Sequence, residues 1–133
     1  MFGNLVFVIP LIMLPLVFVL LILAVIYVRT PLDIEKSKQP IYSEICGGFI
    51  GFSNSTYPFV KISMYDEFLV IKKLFNTVVL NYSDITDVSI GQLTMIRHGV
   101  KITHNRSDIP ERIFIWSFNQ NILFEKLQNI LKK

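Results

Sequence analysis

From Leu5 to Val28 the chain is apolar at every position except Pro10 and Pro15, and its first charged side chain is Arg29. A helix of that length, rising about 1.5 Å per residue, covers the roughly 30 Å hydrocarbon core of a bilayer with room to tilt. Proline is tolerated in such a span, where neighbouring groups re-satisfy the freed carbonyl. Beyond it the pattern changes. Thr30–Tyr42 carries Pro31, Pro40 and mixed charges with no apolar repeat, and reads as a tether. Cys46–Phe52 predicts a first strand loosened by glycines, and Ser53–Pro58 a turn. Phe59–Met64 alternates Val60, Ile62 and Met64 against Lys61 and Ser63, the period of a half-buried strand. Further strands are predicted over Phe68–Leu74, Thr77–Asn81 and Ile85–Ile90, then a loop over Gly91–Gly99, then strands from Val100 to Thr103 and from Arg112 to Phe118. Seven short strands so spaced argue for an antiparallel barrel or sandwich.

The period returns to 3.6 at the end. Leu123, Phe124, Leu127, Ile130 and Leu131 form one stripe of a helix over Asn119–Lys133. Asn119 is placed as its N-cap, with Phe118 and Leu123 as a staple pair. Such a helix can plug the open end of a small barrel. The chain therefore divides into a transmembrane anchor (1–28), a linker (29–42) and a mainly β domain (43–133).

This order resembles the pleckstrin-homology-like superfold, in its bacterial PH-like and GRAM-like forms. The resemblance is carried by Phe68–Leu74, by Val78–Ile85 with its Ser83-Asp84-Ile85 corner leading to Val88 and Ile90, by Arg112–Phe118, and by the closing helix. It implies a seven-stranded antiparallel barrel with one C-terminal capping helix, acting as a binding or assembly module. Two features depart from it. The only tryptophan, Trp116, precedes the helix instead of lying within it. Ser53–Pro58 lacks the basic residues that phosphoinositide-binding members place around the first hairpin.

Composition sharpens this division. The first 28 residues hold 24 of the apolar ones, and the remainder is about 43% apolar and about 22% charged, ordinary values for one globular domain. A cleaved secretory signal would want positive charge before the apolar run and a small-x-small site after it, and neither is present. Arg29, Lys36 and Lys38 follow the span while no Lys or Arg precedes it, which places the N-terminus outside and the domain in the cytosol of a single-pass cell-membrane protein. A single cysteine, Cys46, forbids an intrachain disulfide and fits a reducing compartment. With a cytosolic domain, the triplets starting at Asn54, Asn81 and Asn105 are chance matches to the glycosylation pattern.

No catalytic constellation emerges. His98 and His104 share a strand face about 20 Å apart, too far to share a proton or a metal, and read as caps at the two ends of a core face. Cys46 has no partner for nucleophilic chemistry, Gly47, Gly48 and Gly51 lack phosphate-loop spacing, and Asp84 and Asp87 sit astride a corner. The expectation is a non-enzyme without cofactor or metal. A net charge of +3 with scattered acidic residues excludes a nucleic-acid patch.

One connection is less bland. Leu93, Met95 and Ile96 precede Arg97 where a loop is normally polar. Either the hairpin extends and buries them, or they form an apolar tip beside a cation that contacts a partner or lipid. The last strand is apolar on both faces: Ile113 and Ile115 oppose Phe114, Trp116 and Phe118, so one set faces the core and the other packs under the helix or meets a partner. The partners expected are the bilayer through the N-terminal helix and a protein, either a second copy or another chain. Anionic lipid, or an apolar ligand within the barrel, is the alternative.

Overall fold

The computed structural model describes the backbone of residues 3–93 and 95–133, and side-chain surroundings from Ile9 onward. The apolar run forms one continuous helix, α1 (Gly3–Arg29), with Pro10 and Pro15 inside it. Its side chains from Ile9 to Leu23 are exposed, and α1 is long and apolar enough to cross a membrane.

Seven antiparallel strands follow: β1 (Tyr42–Ile50), β2 (Ser53–Met64), β3 (Phe68–Lys73), β4 (Asn76–Asn81), β5 (Ile85–Gln92), β6 (His98–His104) and β7 (Ile113–Trp116). They form one sheet in the order β4-β3-β2-β1-β7-β6-β5. The sheet curls into a half-barrel whose edges, β4 and β5, are consecutive in the chain and joined by the turn Tyr82–Asp84. The helix α3 (Gln120–Leu131) packs against β5, β6 and that turn, closing the barrel. Its Leu123 and Leu127 are fully buried with Ile62, Leu69, Ile71, Leu80, Ile102, Ile113 and Ile115.

Several local expectations change. The uncharged segment Ser53–Pro58 is not a turn. It is the first half of β2, and the reversal lies at Gly51–Phe52, where Gly51 has φ +64°. Between Cys46↔Val60 and Gly48↔Ser55 the register shifts, so Thr56–Phe59 bulge opposite Gly47. Polar turn-formers within a bulge read as a turn because a bulge breaks the alternation. The loop expected over Gly91–Gly99 is shorter, since β5 and β6 pair as far as Gln92↔His98. Asn119 occupies the N-cap position of α3 without a side-chain cap bond. Its Nδ2 donates instead to Glu44 (3.3 Å), which also accepts from Ser117 (2.7 Å) and Tyr42 (2.6 Å). Phe118 is exposed and makes no staple.

The linker is not a loose tether. A single helical turn, α2 (Asp33–Lys36), lies within it, and Glu35 is buried. Glu35 accepts from the Tyr65 hydroxyl (2.8 Å) and from the Leu32 N–H (2.6 Å). Leu32 packs on a second small cluster of Tyr65, Phe68 and Val70. Every residue of β3 is thereby buried, one face by the barrel and the other by the linker and the end of α1.

Candidate functional site

Interest centres on the end of the β5–β6 hairpin. The Leu93 N–H donates to the Arg97 carbonyl (2.8 Å), closing a tip over Leu93–Arg97, of which Thr94 lies outside the described residues. Leu93 is half-buried at its base. Met95 is 94% exposed and Ile96 89% exposed, so the strands do extend, yet the apolar tip stays in solvent. The structure groups Met95, Ile96 and Arg97 and sets Leu93 apart from them.

Arg97 leads to residues outside the tip. Its guanidinium sits 5.0 Å over the Trp116 ring, an arrangement that contributes about 0.5–1 kcal/mol at exposed sites. Trp116 belongs to the apolar face of β7 that turns away from the core. Ile113 and Ile115 point inward and are fully buried, while Phe114, Trp116 and Phe118 lie on the outer face, increasingly exposed along the strand. The indole lies flat because its partner across the ladder is Gly47, where a Cβ would come within 2.0 Å of the indole nitrogen. From the β2 bulge, Tyr57 meets Phe118 edge to face, ring centres 5.7 Å apart.

These residues frame a groove of about 210 Å³ between Tyr57, Ile96, Arg97, Trp116 and Phe118. It continues past Phe118 toward the first turn of α3, which carries no acidic residue. Neither part is lined by an Asp or Glu, and Arg97 stands on its wall as a cation. An apolar trough with one stacked cation suits a ligand bearing an apolar side chain next to a negative charge. Sequence reasoning found the tip, because apolar residues in a connection are anomalous. It left the two faces of β7 unresolved, because choosing between them needs the register with Gly47.

Of the other chemical candidates, Cys46 and His98 line this groove, and His104, Asp84 and Asp108 are held in local bonds. Cys46 is buried, and desolvation, reinforced by the nearby Glu44 carboxylate, pushes its thiol well up, away from nucleophilic character. His104 is buried and His98 exposed, so only one of the pair caps the core. The His104 Nδ1 accepts from the Arg106 N–H (3.2 Å), which leaves Nε2 to donate to the Pro110 carbonyl (2.9 Å). Asp84 sits at the corner within 3.5 Å of Arg106. Asp108 is held below the usual carboxylate range by its bond from the same guanidinium. Among the described residues no cluster of three His, Cys, Asp or Glu could hold a metal ion.

No protein-family model matches this chain, and no curated protein matches it. Solved structures do. The C-terminal domain of an unknown protein from Leishmania infantum superposes with a TM-score of 0.59 at 12% identity, covering 73% of this chain and 87% of that one. The N-terminal PH domain of Vps36 superposes with a TM-score of 0.52 at 18% identity, covering 80% and 90%. At these identities the likeness is one of fold.

Proposed function

We propose that this PH-like chain is a single-pass membrane protein whose domain acts as a docking module for a protein partner, without catalysis. The fold supports an interaction role, since PH-like domains serve chiefly as binding modules. The exposed apolar α1, followed by the Lys/Arg-bearing flank, supports a retained anchor with the N-terminus outside and the domain in the cytosol. The observation that carries the docking role is the tip itself. Met95 and Ile96 stand in solvent beside a cation already held on Trp116, with a groove between them and Phe118. The fitting occupant is a protein segment that puts an apolar side chain in the groove and a carboxylate against Arg97.

A photoreactive amino acid at position 96 of the full chain, activated in native membranes, tests this. The expected product is a discrete protein adduct, either to a second copy or to another chain. It should fall several-fold with Arg97→Glu, which costs the fold no more than about 0.5–1 kcal/mol, the contribution of the exposed stacking on Trp116. Adducts to lipid alone would transfer the tip to the alternative, contact with anionic headgroups. A yield no higher than from position 129, on the exposed side of α3, would overturn both.

A further inference from the structure

We propose that the β domain is seated on the membrane: the hairpin tips Gly51–Phe52 and Leu74–Phe75 rest in the headgroup layer of the bilayer that α1 crosses. This rests on the reading of α1 as a span.

The helix lengths come first. α1 does not end where the domain begins. Val28 is fully buried, the Lys72 ammonium donates to the Thr30 carbonyl (2.6 Å), and Lys61 reaches the Arg29 carbonyl (3.5 Å). Toward its N-terminus the helix runs alongside β2. It opens into a crevice of about 480 Å³ with Val17, Leu21 and Ala24 on one wall and Ser55, Phe59 and Leu74 on the other. The apolar run opens at Leu5, after Gly3 and Asn4, and rises about 1.5 Å per residue as a helix. A hydrocarbon core of roughly 30 Å takes about 20 such residues, Leu5–Ala24. The membrane must therefore reach along α1 past Val17, to the level that the ends of β2 and β3 flank.

The composition of those ends agrees. No Lys, Arg, Asp or Glu occurs between Glu44 and Lys61 or between Lys73 and Asp84, in a domain otherwise well supplied with charge. Both tips carry a phenylalanine in full solvent exposure, Phe52 at 103% and Phe75 at 92%. They lie at the same end of the sheet. β2 starts where β3 ends, and the Lys73 ammonium donates to the Ser53 carbonyl (2.6 Å). Phe75 holds φ at +61°, where Asn or Gly would sit with less strain, so that turn keeps its bulky side chain against backbone preference. Lys73 at the end of β3 and Arg112, with Glu111, beside Gly51 flank the tips at the headgroup level, and Arg29, Lys61 and Lys72 follow further along, at the end of α1. The crevice between α1 and β2 then opens onto lipid, whose chains can fill it.

The test uses the full chain in two sets of phosphatidylcholine vesicles, one with a short-range quencher near the headgroup, which reads positions 52, 75 and 129, and one with it deep in the acyl chains, which reads position 12. An environment-sensitive label is placed by Phe52→Cys or Phe75→Cys, with Asn129→Cys on α3 as the aqueous reference and Ile12→Cys as the membrane reference. Cys46 is buried and stays unlabelled. Labels at 52 and 75 should be quenched at least two-fold more than the label at 129. Quenching at 52 and 75 no greater than at 129, with strong quenching at 12, would show the domain standing off the membrane or its tips covered by a second copy, and would overturn the seating while leaving the anchor intact. Absence of quenching at 12 would remove the span, and the seating with it.

Discussion

The Tyr65 hydroxyl joins the linker to the barrel through one bond to Glu35. Burial is the main cause, and the neighbouring Glu35 carboxylate the second, of a phenol pushed from its ordinary value near 10 up to about 12. Tyr42 and Tyr82 are raised as well, by burial first. For an acid raised on folding, the native state keeps a proton that the unfolded chain has lost. The added stability is complete below about pH 10 and disappears as pH rises through about 12. Tyr65→Phe should therefore lose about 1–3 kcal/mol at neutral pH, since it leaves Glu35 Oε1 buried without its donor. Its stability should also fall less steeply between pH 10 and 12 than that of the parent. Denaturant titrations across that range measure both, and parallel curves would rule out Tyr65 as the titrating group. None of this was legible in the sequence. Glu35 and Tyr65 are far apart in the chain, and a carboxylate in a proline-flanked charged segment carries no sign that it will be buried. The Asn119 cap misled for a related reason: its side chain is turned to donate through Nδ2 to Glu44, a residue of β1, instead of accepting from the first turn of the helix.

Among the elements, α3 has the clearest structural duty. The half-barrel leaves β4 and β5 unpaired with each other, and this helix packs over the core beside β5, β6 and the turn that joins the two edges. Leu127→Ala should cost about 2–5 kcal/mol, as large-to-small changes at fully buried positions do. A shift in the denaturation midpoint worth less than about 0.5 kcal/mol would mean that α3 does not close the barrel. The helix was legible because its apolar stripe keeps a strict period, and so were β5 and β6, where one-residue alternation survives, and β3, a short apolar run between turns. Of β2 only Phe59–Met64 was legible, because the bulge over Thr56–Phe59 places polarity breaks and a proline inside the strand. Likewise, alternation along β7 could place Ile113 and Ile115 together but could not say which face was inside. That was settled by Gly47, whose missing side chain gives the indole its seat.

At the scale of the molecule, the separation of a long apolar helix from a β domain was plain, but the way the two are fastened was not. The end of a helix leaves its last carbonyls without partners. In α1, Thr30 Oγ1 donates back to the Ile26 carbonyl (2.8 Å), and two lysines of the sheet reach the Arg29 and Thr30 carbonyls. The favourable interaction of a cation with the negative end of a helix thus also ties helix to barrel. The Lys72 ammonium lies 4.6 Å from the centre of the Tyr27 ring, and burial lowers its proton affinity. β7 begins opposite Ile50, beside the Phe52 tip, and runs away from it toward Trp116 and Phe118. A domain held upright by this fastening would turn its hairpin tips to the bilayer and keep the Arg97 groove on the side facing away. Lys72→Met keeps most of the apolar stem and removes the donor. It should leave the barrel core intact but loosen the fastening, so that amide exchange from about Thr30 to Lys38 in the membrane-bound protein quickens about ten-fold while exchange in β1, β6 and β7 does not change. Unchanged exchange over the linker would mean that Glu35, Tyr65 and Leu32 hold it alone, and that the lysine at the helix end merely accompanies the contact.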